Sequence, residues 1–167
     1  MTRAGRINLA LGIVAFISGV IIALIFVREP MSPLTAELLR AAREKWAAAK
    51  IVDYDIRYRM HGSVYEIRVR DGLVTAATVD GQTPRTSDVG AYTAEGLFET
   101  LAQELENLAD PSGPFAGRPA VVTMRVRFNE HHGCVERYLR SAGRAGRPVA
   151  IELLEFGEDG ARKSDGR

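Results

Sequence analysis

A run of 21 residues, Ile7 to Val27 (INLALGIVAFISGVIIALIFV), constrains this chain more than any other feature, because only Asn8 and Ser18 in it are clearly polar. At about 1.5 Å of rise per residue, a helix of that length spans the ~30 Å hydrocarbon core of a bilayer. A buried core helix would carry a polar face, and this run is apolar all round. A cleaved signal peptide has an apolar region of about 7 to 15 residues and a small-x-small cleavage site. Here the run ends in Ile25-Phe26-Val27-Arg28-Glu29-Pro30, which offers no such site. No lipid-accepting cysteine follows, since the one cysteine is Cys134. The run therefore reads as an uncleaved transmembrane anchor over 7–27.

Arg3 and Arg6, with no acidic residue beside them, favour a cytoplasmic segment over 1–6. The expected arrangement is a single-pass cell-membrane protein with its C-terminal domain in the cell envelope. A spacer over 28–33 precedes that domain at 34–157, and a polar tail follows over 158–167. The partners expected are the membrane, through one helix, and an envelope protein.

Composition narrows the domain's role. The 22 basic and 21 acidic residues give a formal charge of +1. Setting aside Arg3, Arg6 and Arg28 leaves 19 basic against 21 acidic residues, a balance unlike that of a nucleic-acid binder. One cysteine excludes an internal disulfide framework and any zinc site built on several cysteines.

Within the domain the hydrophobic period switches between 3.6 and 2. Ser32 is placed to cap a helix with Pro33 at its first position. Leu38, Leu39, Ala42, Trp46 and Ala49 then recur on one helical face. Asp53–Met60 and Ser63–Arg70 alternate strictly about His61-Gly62, a two-residue hairpin signal. Counting outward from that turn sets Tyr58 opposite Tyr65, Ile56 opposite Ile67 and Tyr54 opposite Val69 on the buried side. On the other side Arg57 meets Glu66, Asp55 meets Arg68 and Asp53 meets Arg70. Asp71-Gly72 turns into a third strand, Leu73–Val79. A second helix begins at Thr93, with Leu97, Phe98, Leu101, Leu105 and Leu108 as its stripe and Tyr92 packing on Leu97. Strands are expected over Ala120–Asn129, Cys134–Arg140 and Val149–Phe156. The fold class is α+β: a transmembrane helix, then helix-βββ-helix-βββ with an antiparallel sheet, helices on one face and water on the other.

Three candidate sites follow. Glu130-His131-His132-Gly133-Cys134 brings together residue types that ligate zinc, with His131, His132 and Cys134 as the candidate ligands. Successive residues of a strand point to opposite faces, which counts against one ion shared by His131 and His132. Cys134 could act as a nucleophile if a neighbouring charge lowered its pKa. The outward arginines left without acidic partners by the hairpin register are Arg59, Arg125 and Arg127, a candidate stripe for an anionic lipid or polymer. No phosphate loop, Ser–His–Asp arrangement or HExxH stands in the sequence. No cofactor is expected.

Trp46, the strand Asp53-Tyr54-Asp55-Ile56-Arg57-Tyr58, the pair Tyr65-Glu66-Ile67-Arg68-Val69 with Asp71-Gly72, and Gly96-Leu97-Phe98 form a pattern over about residues 39 to 156. It resembles a family of small bacterial secreted or membrane-anchored domains of unknown function. That family's later Gly-x-Pro stands here as Gly133-Cys134-Val135, without the proline. The resemblance implies an envelope location and an α+β domain, and it carries over no ligand or catalytic residue. The functional expectation is a non-enzymatic binding or accessory module. The alternatives are a metal- or thiol-dependent enzyme centred on Glu130–Cys134 and an anion-binding sheet face.

Overall fold

A computed structural model of the chain describes residues 31–84, 89–117, 121–143 and 147–158. The element order is β1 (Ser32–Pro33), α1 (Ala36–Ala49), β2 (Tyr54–Met60), β3 (Ser63–Arg70), β4 (Leu73–Val79), a 3₁₀ turn (Val89–Tyr92), α2 (Ala94–Ala109), β5 (Thr123–Phe128), β6 (Val135–Ser141) and β7 (Val149–Glu158). The strands form one antiparallel sheet in the order β1-β5-β6-β7-β2-β3-β4. Each half is a meander, and β7 and β2 join the halves at the centre.

The anchor expected over 7–27 lies outside the described residues, and among those residues no helix is long and apolar enough to cross a membrane. The single-pass anchor, the orientation and the envelope location built on it are therefore withdrawn. Among the described residues the fold is corrected to two α-helices and a seven-stranded antiparallel sheet.

The seventh strand is β1. Ser32 and Pro33 pair with Val126 and Arg125 instead of opening α1. The cap of α1 is Thr35, whose hydroxyl accepts from Leu38 N at 3.2 Å. Proline suits an edge strand because it has no N–H to leave unpaired. Thr93 caps α2 as its position suggests, accepting from Gly96 N at 3.0 Å. Tyr92 packs against Tyr65, with ring centroids 4.5 Å apart.

The hairpin register follows the count from His61-Gly62: Tyr58 pairs with Tyr65, Ile56 with Ile67, Tyr54 with Val69, Arg57 with Glu66 and Asp55 with Arg68. Both turn residues have positive φ, His61 at 52° and Gly62 at 89°, the mirror-image turn that matches strand twist. The alternation sends Tyr54, Ile56 and Tyr58 of β2, Ile67 and Val69 of β3, Val126 of β5, Tyr138 of β6 and Ile151 of β7 into the core. Leu39, Ala42 and Trp46 of α1 and Leu97, Phe98 and Leu101 of α2 close it from above. Among the described residues no helix covers the opposite face of the sheet.

Candidate functional site

The Glu130–Cys134 segment is a turn organised by Asn129. The Asn129 side-chain oxygen accepts from His131 N at 2.9 Å and His132 N at 3.1 Å, and its amide donates to Glu136 at 2.9 Å. Gly133 holds φ at +79°, and a Cβ there would stand 2.4 Å from Ala42 O. The turn can press that closely on α1 only because this residue is glycine. Lys45 Nζ donates to Glu130 O at 2.8 Å and fastens the same contact.

The side chains then separate. His131 is exposed. The His132 ring lies 4.4 Å from the Phe156 ring and 6.1 Å from Trp46. Burial lowers the His132 pKa below its ordinary value, against the opposing pull of Glu158 and Glu136. Cys134 is fully buried, and burial, with Glu136 nearby, pushes its thiol up to about 12. A thiol so protonated at neutral pH is a poor nucleophile and a poor metal ligand. Among the described residues no three His, Cys, Asp or Glu side chains gather to hold a metal ion.

Beside this turn, Glu95 of α2 ties three elements together. It accepts from Trp46 Nε1 at 2.8 Å and from the Tyr54 hydroxyl at 2.7 Å, and that hydroxyl accepts from Ala94 N at 3.2 Å. Burial, then the Glu95 hydrogen bond, raises the Tyr54 pKa well above that of an ordinary phenol. Trp46, Tyr54 and Phe156 complete an aromatic corner at centroid spacings of 5.4 to 6.0 Å. Its donors are satisfied and its rings packed, which makes it a structural clasp.

On the open face, pairing across the sheet changes the account of the arginines. Arg59 bonds Glu152 of β7 at 3.2 Å, and Arg127 bonds Glu136 of β6 at 2.8 Å. Arg125 sits on β5 between Pro33 and Leu139. Arg57 remains register-paired with Glu66, but its ion partner is Glu155 at 3.5 Å. Arg70 turns to Asp55 at 2.9 Å, and Asp53 instead accepts from Asp71 N at 2.7 Å. Two of the three arginines expected to lack acidic partners thus have them, from strands outside the β2–β3 hairpin that the sequence count did not include.

What the register does build is two rows across β7, β2, β3 and β4. One row reads Glu155, Arg57, Glu66, Thr78, and the other reads Gly157, Asp55, Arg68, Ala76. Charge alternates along each row, and each row reaches β4 at a short side chain. Between these short residues and the long arginines lies an open groove of about 450 Å³, lined by all eight. Glu66 accepts from the Thr78 hydroxyl at 3.1 Å, and Arg68 bonds Asp55 at 3.4 Å. Asp55, Arg57, Glu66 and Arg68 were visible as a charged face in sequence. Glu155, Gly157, Ala76 and Thr78 were not, since only the β7–β2 and β3–β4 pairings bring them there.

No family model, no curated protein and no solved structure matches this chain.

Proposed function

We propose that this protein is a non-enzymatic binding module whose ligand sits on the open sheet face, in the groove over β7, β2, β3 and β4. The observation that carries this reading is the pair of charge rows ending in Thr78 and Ala76. Ordered, alternating charge beside a depression gives a ligand orientation through complementary partners, while small residues leave it room. The contrast with the Glu130–Cys134 turn supports binding over catalysis. There the thiol is buried and protonated, and the two imidazoles face different surroundings. The paired state of Arg59 and Arg127 favours a ligand of mixed charge over an anionic lipid or polymer.

The test is a selection of eight-residue peptides from a random library on the full chain, followed by binding to the Ala76→Phe variant. Ala76 is exposed, so the phenyl ring fills the groove without entering the core. Selected peptides are expected to bind the variant at least tenfold more weakly, with an unchanged unfolding midpoint. Peptides that bind both proteins alike, or a selection that yields none, would overturn the reading.

A further inference from the structure

The sheet treats its two edges differently. On one side β5 is covered by β1, a two-residue strand ending in proline, which leaves little edge to pair with. On the other side β4, Leu73–Val79, has the sequence LVTAATV, with no charge and no proline. Among the described residues only Gln82 bridges its outer side, at Val79. The backbone groups of Leu73–Thr78 that point away from β3 are thus offered to another strand. Charged or proline-bearing edges deter such pairing, and this one carries neither.

Building on the binding reading above, we propose that β4 receives an extended segment of a partner protein as an eighth, antiparallel strand. That segment carries Arg opposite Thr78 and an acidic residue opposite Ala76. The charge rows select this pattern. In the first row the sequence Glu155, Arg57, Glu66 continues past the short Thr78 to a cation. In the second, Asp55 and Arg68 continue past Ala76 to an anion. An added strand lies about two spacings of 4.8 Å from β3, within the joint reach of an arginine and Glu66 over a threonine. The residue between the two charges faces the core side, where half-buried Val74 and Ala77 await an apolar neighbour. A second copy of this chain fits less well, because its own β4 brings no charge to either row.

The probe is an eight-residue peptide of alternating valine and polar residues, the polar positions reading Thr, Arg, Glu, Thr. Three measurements on the full chain test it. Its affinity is expected to fall at least tenfold when alternate peptide nitrogens are methylated, because the side chains remain and the edge hydrogen bonds do not. Glu66→Gln is expected to weaken the parent peptide several-fold and to leave a peptide with Thr in place of Arg unchanged, the signature of a direct pair. Ala76→Phe is expected to weaken both. If methylation changes nothing while Ala76→Phe still abolishes binding, edge pairing is wrong and the groove reading stands. If the probe does not bind although library-selected peptides do, the charge pattern is wrong. If the chain alone dimerises and the probe dissociates the dimer, the natural occupant is a second copy and the proposal falls.

Discussion

Tyr54, Tyr58 and Tyr138 are all essentially inaccessible, yet their hydroxyls meet different fates. Tyr54 donates to Glu95 and accepts from Ala94 N, whereas those of Tyr58 and Tyr138 have no hydrogen-bond partner among the described residues. A buried hydroxyl without a partner adds little stability, while removing a partnered one strands the groups left behind. Tyr54→Phe should therefore cost about 1–3 kcal/mol in denaturant unfolding, and Tyr58→Phe and Tyr138→Phe should each stay within about 0.5 kcal/mol of wild type or gain. A large loss at Tyr58 with none at Tyr54 would invert this assignment. The hairpin register placed Tyr54 and Tyr58 inward, whereas the inward turn of Tyr138 and the reach of Glu95 to Tyr54 and Trp46 emerge only once β6 pairs and α2 docks. His132 gives a second test at this scale. Its pKa is lowered in the folded state from the ordinary 6.5, first by burial. Above that value both states are neutral there; below it the unfolded chain takes the proton first, so stability is lost as pH falls. Wild type should lose unfolding midpoint relative to His132→Phe between about pH 6.5 and pH 5. Parallel pH curves for the two proteins would show that His132 is not held neutral.

At the scale of elements, α1 is placed by the turn between β5 and β6 as much as by its own apolar stripe. Gly133 lies within a methyl group's distance of Ala42 O, at a positive φ that other residues adopt only with strain. Gly133→Ala should destabilise the fold by about 2–4 kcal/mol, more than Gly62→Ala, since the Gly62 site has open space around it. Equal losses at the two sites, measured by urea unfolding, would mean that the α1 contact gives way without cost. In the sequence Gly133 stands inside a possible metal cluster, between the strands expected over Ala120–Asn129 and Cys134–Arg140. Its closeness to α1 depends on a contact between segments about ninety residues apart, which local periodicity cannot encode. The hairpin of β2 and β3 was legible because turn chemistry and alternation sit within a few residues of each other. β1 was missed for the opposite reason: Ser32-Pro33 reads locally as a helix start, and only β5 makes it a strand.

For the whole molecule, the order β5-β6-β7-β2-β3-β4 makes one sheet of two meanders, with helices on one side and charge rows on the other. The rows were half legible: the hairpin fixed Asp55, Arg57, Glu66 and Arg68, while β7 and β4 complete them through non-local pairing. The apolar run over 7–27 directed attention to a membrane, and the described residues instead draw it to the uncharged edge β4 and the groove beside it. Backbone amide exchange of the full chain, with and without the Arg–Glu peptide, tests this most directly. Edge amides that gain a strand partner exchange slowly, and those of distant elements do not change. The account predicts slowed exchange within Leu73–Thr78, with α1 and the Glu130–Cys134 turn unaffected. Slowed exchange at the Trp46–Glu95–His132 corner, with β4 unchanged, would contradict it and move the binding surface to the helical side.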